Sequence, residues 1–129
     1  MVAVDTNILV RLLTRDDPAQ YRASHRLFAS EPIFIADTVI LETEWVLRAA
    51  YDLTPIEVCA SLRRLLGLEQ VSVSNAQLLA QVINWHAAGL DFADAFHLAL
   101  SQSKQSLKTF DSGFIKRAKA LTQCLVETP

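Results

Sequence analysis

Asp5, Glu42, Asp94 and Asp111 are the side chains of this 129-residue chain whose type and setting point to chemistry. Asp5 directly follows the apolar run Val2-Ala3-Val4, and Asp111 directly follows Leu107-Lys108-Thr109-Phe110. Both stand where a buried strand ends, the edge of an open α/β sheet at which loops and helix N-termini from distant segments meet and ligands collect. Glu42 and Glu44 share one helix and, two residues apart, point to nearly opposite sides. Glu44 has Arg48 one turn later, which accounts for it as a solvent-exposed ion pair. Glu42 lies along Thr38, Val39, Trp45 and Val46 without such a partner, and an unpaired carboxylate on an apolar face is costly unless a cation compensates it. Reaching solvent at the edge of that face is the plainer alternative. In Asp91-Phe92-Ala93-Asp94-Ala95-Phe96-His97 one acid suffices as helix cap, so Asp94 is the surplus one, set between alanines that permit close approach of other backbone. A favourable first-turn charge competes for Asp94. Helix capping competes for Asp111 and, less strongly, for Asp5, where Thr6 or Asn7 is available as the cap.

Four converging carboxylates repel one another and raise some of their own pKa values, so such a cluster is rarely kept for stability alone. Oxygen-only ligation selects a hard ion, Mg²⁺ or Mn²⁺, with coordination positions left for water and for phosphate oxygens. The chemistry implied is hydrolytic: a bound ion lowers the pKa of an attacking water, and a second ion, if present, steadies the leaving oxygen.

The elements that must position these acids are short and alternate. Val2-Ala3-Val4 reads as a strand leading through Asp5-Thr6-Asn7 into a helix with Ile8, Leu9, Leu12 and Leu13 at helical spacing. Asp17-Pro18-Ala19-Gln20 opens a helix to about Ser30, Ile33-Phe34-Ile35 is a second strand, and Asp37 or Thr38 caps a helix to about Ala50. Thr54-Pro55-Ile56-Glu57 is a capping box for a helix to Leu66, and Ser74-Asn75-Ala76-Gln77 is another, after the strand Val71-Ser72-Val73, for a helix ending near Gly89. Asp91 caps the helix of Asp94, a strand leads to Asp111, a short helix covers Phe114 to Ala118, and Cys124-Leu125-Val126 forms the last strand. Short strands alternating with helices predict a three-layer α/β/α sandwich with a mainly parallel central sheet.

With 51% hydrophobic residues, three glycines and four prolines, the chain is neither disordered nor a loop-rich scaffold, and its length suits one domain, residues 1–129. Cys59 and Cys124 have no pairing or metal-ligand spacing and read as buried reduced thiols. No secretory leader or membrane-length apolar run is present, so the expected location is the cytoplasm. A net charge of −2 excludes binding to nucleic acid by overall basicity, leaving local cations: Lys104, Lys108, Lys116, Arg117 and Lys119 near the C-terminal end, and Arg11 with Arg15. His25, His86 and His97 lack ligand spacing and read as packing or surface residues, and Trp45 and Trp85 as core.

Taken in order, Val4-Asp5-Thr6-Asn7, Glu42 followed by Trp45-Val46-Leu47, Asp91-Phe92-Ala93-Asp94-Ala95 and Thr109-Phe110-Asp111 resemble the PIN-domain nucleases, and within them the VapC-like toxin ribonucleases of toxin-antitoxin pairs. The resemblance spans essentially the whole chain. It implies that Asp5, Glu42, Asp94 and Asp111 form the acidic, metal-binding quartet, supported by Asn7 and Thr109. It further implies Mg²⁺- or Mn²⁺-dependent cleavage of RNA, a homodimer, and a cognate antitoxin that inserts into the active-site groove. Asp37 and Asp91 are additional acids near the same edge, where capping accounts for them.

Two other classes compete. A non-catalytic dimeric interaction module of the same fold would not need four intact acids. An aspartate-nucleophile phosphatase built on Asp5 would need a second acid close by in sequence, which Thr6-Asn7 does not supply.

Overall fold

The computed structural model describes all residues, 1–129, as five two-residue strands and seven helices. The order is β1 (Val2–Ala3), α1 (Thr6–Thr14), α2 (Pro18–Ser30), β2 (Ile33–Phe34), α3 (Asp37–Ala49), α4 (Pro55–Leu66), β3 (Val71–Ser72), α5 (Ala76–Ala87), α6 (Phe92–Leu100), β4 (Leu107–Lys108), α7 (Ser112–Leu121) and β5 (Val126–Glu127). The fold is α/β, and every strand pairing is parallel. The residues divide into two compact units, Met1–Ala76 and Gln77–Pro129.

In the first unit β2 is the central strand, with β1 on one side and β3 on the other. Val2 pairs with Ile33 and Ile33 with Val71, so one register line runs through all three strands. The ladder continues past the strand ends, where Val4 N donates to Phe34 O and Ile35 N to Ser72 O. Ile33, Ile35, Leu9, Ile40, Leu47 and Leu62 are fully buried in this unit. The helices start as their sequences dictate. The Asp17 carboxylate accepts from Gln20 N with Pro18 in the first turn, and Thr54 and Glu57 complete a reciprocal capping box at α4. Helix α3 departs from expectation: Ala36, not Asp37 or Thr38, is its N-cap and supplies no side-chain bond, while Asp37 occupies the first turn.

In the second unit β4 and β5 pair in parallel, Leu107 with Val126 and Lys108 with Glu127. Helix α5 buries Leu79, Val82, Ile83, Trp85 and His86. It ends where Leu90 N reaches back to Trp85 O and Gly89 adopts φ 112°, a left-handed conformation open to glycine. His86 donates its Nδ1–H to Leu90 O (2.8 Å) and meets Phe92 edge-on. Helix α7 is longer than its sequence pattern suggested, running Ser112–Leu121 with Phe114 and Ala118 buried. No helix is long and apolar enough to cross a membrane.

The turn from α1 to α2 is held by a polar cluster. Asp16 accepts from the Tyr51 hydroxyl (2.6 Å), the Thr14 hydroxyl (2.8 Å) and Arg11 Nη1 (3.0 Å). These donors, Tyr51 foremost, hold the Asp16 carboxyl at about 2, below its usual 3.8. A carboxylate whose pKa is lowered by folding adds stability above its unfolded value and loses it as pH falls through the folded value. Asp16→Asn should therefore lower the urea unfolding midpoint at neutral pH, and its deficit against the unmodified chain should shrink as pH falls below 3.8 and vanish only below about 2.

Candidate active site

Asp5 is the residue between β1 and α1, and its carboxylate caps the helix: Oδ1 accepts from Ile8 N at 3.3 Å. The cap is thus Asp5 itself and not Thr6 or Asn7. Oδ2 has no hydrogen-bond partner in the protein. Thr6 is nearly buried and donates its hydroxyl to Glu42 Oε1 on α3. That bond ties Glu42 to the residue that follows Asp5, a link that nothing in the sequence pattern singled out. Asp5, Asn7 and Arg11 line one wall of a cavity of about 520 Å³ between α1 and α2, and Gln20 and Ser24 line the other.

The two glutamates of α3 are disposed opposite to expectation. Glu44 is 2% exposed and accepts from Arg48 Nε at 2.8 Å, whereas Glu42 is exposed to solvent. Trp45, expected in the core, is 58% exposed, while Trp85 is buried as expected. The reason is helix phase. Ile40, Thr43, Glu44 and Leu47 form the inward stripe at three- and four-residue spacing, so Glu44 is drawn in with its own counter-ion and Glu42 and Trp45 turn out.

In the second unit Asp91 caps α6 by accepting from Asp94 N at 3.2 Å, and Asp94 is the acid of the first turn. Burial, followed by the charges of Asp91 and Asp111, pushes the Asp94 carboxyl up, against the opposing effect of His97 and Arg117. Asp111 caps α7, accepting from Phe114 N at 3.0 Å, and its own amide donates to the Thr109 hydroxyl at 3.1 Å. A methyl group on Gly113 would lie 3.3 Å from Asp111 Oδ1 and 3.4 Å from an Arg117 guanidinium nitrogen, so glycine there keeps the junction open. Arg117, His97 and Gly113 are neighbours of Asp94 and Asp111 that spacing alone did not identify as such, while Asp91 is the additional acid already named. Asp37, also near a strand end, has its Oδ1 buried without a hydrogen-bond partner.

The four expected acids therefore divide two and two: Asp5 and Glu42 in Met1–Ala76, Asp94 and Asp111 in Gln77–Pro129. Within neither unit do three or more His, Cys, Asp or Glu side chains converge tightly enough to hold a metal ion. The donors themselves suit a hard divalent cation. Each acid keeps at least one carboxylate oxygen that no protein group hydrogen-bonds, and Asp94, pushed up first by burial, also has the like charges of Asp91 and Asp111 nearby.

The chain belongs to the PIN-domain family, whose model matches residues 2–120. Divalent-metal nuclease chemistry is the general property of that family. Among solved structures, the Mycobacterium tuberculosis toxin VapC20, described as a sarcin-ricin-loop-cleaving toxin, is 24% identical. That likeness covers 95% of this chain and 98% of the other, with a TM-score of 0.45. No curated protein sequence matches.

The two glutamates should separate in mutagenesis. Glu44→Gln should cost about 1–2 kcal/mol of unfolding free energy, because it weakens a charge-assisted bond at a buried site. Glu42→Gln, at an exposed position, should stay within about 0.5 kcal/mol of the unmodified chain. Urea titrations of both variants followed by circular dichroism check this.

Proposed function

We propose that this PIN domain is a metal-dependent ribonuclease that hydrolyses RNA phosphodiester bonds and acts as the toxin of a toxin-antitoxin pair. The observation that carries the reading is the repeated strand-to-helix junction ending in an aspartate with an unpartnered oxygen, at Asp5 and at Asp111, within a chain whose PIN match runs continuously from residue 2 to residue 120. That continuity supports residues 1–129 working as one nuclease domain.

In this reading Asp5, Glu42, Asp94 and Asp111 hold Mg²⁺ or Mn²⁺, which when bound activates water and neutralises charge on the phosphate. The chain's own residues prepare the donors. Thr6 fixes one oxygen of Glu42 and leaves the other without a protein hydrogen bond. The helix caps fix the direction of Asp5 and Asp111 through Ile8 N and Phe114 N. Thr109 acts one step back by pinning the Asp111 amide, and Asn7 lines the cavity beside Asp5. The Asp94 carboxyl is pushed up first by burial and then by the like charges of Asp91 and Asp111, and a divalent ion would offset both. The partners that go with this reading are an RNA substrate, a protein antitoxin occupying the acidic groove, and a second copy of the chain, all in the cytoplasm. VapC20, named as a toxin that cleaves RNA of the sarcin-ricin loop, illustrates the activity class.

The test is cleavage of a panel of structured RNAs with Mg²⁺, Mn²⁺ or chelator. The unmodified chain should cut with either ion and stop on chelation, and Asp5→Asn or Asp94→Asn should reduce the rate at least about 100-fold, the scale of a lost metal ligand. Equal cutting by the variants, or cutting in chelator, would end this reading.

A further inference from the structure

Phe110 stands between Thr109 and Asp111 and is 86% exposed, more than any other large hydrophobic side chain in the protein. It makes no ring contact with another aromatic group or cation. Single exposed apolar residues are common and by themselves mean little. What sets this one apart is how it is held. Thr109 N donates to Glu127 O (3.0 Å), Asp111 N donates to the Thr109 hydroxyl (3.1 Å), and Phe114 N donates to the Asp111 carboxylate (3.0 Å). Phe114 in turn is anchored in the core of its unit at 4% exposure. The backbone on both sides of Phe110 is thus pinned, and the ring is held out to solvent.

Charge in the unit that carries the ring favours one kind of occupant. Residues 77–129 carry five Lys and Arg against four Asp and Glu, whereas residues 1–76 carry seven against ten. On α7, which begins one residue after Asp111, Lys116 and Lys119 are exposed and make no ion pair. An exposed aromatic ring two residues before a helix that carries unpaired cations matches a nucleotide, whose base stacks and whose phosphates carry negative charge.

We propose that Phe110 is a base-stacking platform that holds an unpaired nucleotide of the RNA next to the Asp111 carboxylate. The inference rests on the ribonuclease reading and specifies its substrate class: single-stranded segments or loops, because a base inside a duplex is already stacked and cannot turn onto the ring. A phenylalanine face accepts any base, so the contact supplies affinity and position and does not read sequence.

Because the ring is so exposed, its replacement leaves the fold intact, which a thermal melt of each variant verifies. Binding of a labelled unstructured RNA, measured in chelator so that nothing is cut, should weaken by about 5- to 150-fold in Phe110→Ala, the range of one lost base stack. Phe110→Leu should weaken similarly despite its apolar bulk, while Phe110→Trp should retain affinity and show quenching on RNA addition beyond that of Trp45 and Trp85 in the unmodified chain. A fully duplex RNA should bind equally to all four proteins. Unchanged binding of the unstructured RNA by Phe110→Leu would overturn the proposal. So would a change only in self-association or antitoxin binding, which would assign the ring to a protein contact. Failure of the unmodified chain to bind or cut any RNA would instead remove the ribonuclease reading, and this inference with it.

Discussion

A carboxylate that caps a helix commits one oxygen to a backbone amide and keeps the other. In this chain that division of labour recurs at the places where a parallel strand gives way to a helix. Asp5 after β1 and Asp111 before α7 each bind one amide and leave one oxygen uncommitted, and Asp91 caps the helix that carries Asp94. The helix N-terminus is what makes this tolerable, since its partial positive charge stabilises a carboxylate that would otherwise be short of counter-charge. Capping and metal ligation are therefore compatible roles for one side chain. The capping role fixes the direction of the donor, and the uncommitted oxygen is what a cation would use.

Where helix dipoles do not suffice, the imbalance is visible. Asp94 is half-buried with Asp91 and Asp111 as like-charged neighbours, and neither His97 nor Arg117 cancels their effect. Glu44 offers the contrast within the same protein. It is far more buried, yet Arg48 meets it on the next turn, so its charge is answered inside the fold. One acid is answered by a counter-ion on the same helix; the other sits among like charges with only partial compensation from His97 and Arg117. The Phe110 turn follows the same economy, with the backbone bonds that orient Asp111 also holding the aromatic ring beside it in solvent.

Much of this was legible from residue order alone, because its causes are local. The Asp17-Pro18 and Thr54-Pro55-Ile56-Glu57 starts, the left-handed Gly89 stop and the strand segments all follow from interactions within a few residues. So did the placement of acids at strand ends, and the parallel α/β class, since short apolar strands separated by helices have few other ways to pair. The order of the acidic motifs was enough to indicate the family to which the chain belongs.

What the sequence could not decide was the phase of each helix against its neighbours and the partners chosen across long separations. Alternating acids on α3 leave open which one turns inward; the packing of Ile40, Thr43 and Leu47 selected Glu44 and sent Glu42 and Trp45 outward. The Thr6 bond to Glu42 spans 36 residues, and the influence of Arg117 on Asp94 crosses from α7 to α6. Such contacts have no periodic signature, because they arise only when separately formed elements pack. Residue types and local spacing thus determined which oxygens were available and which helices they began, while tertiary packing alone determined what each oxygen faces.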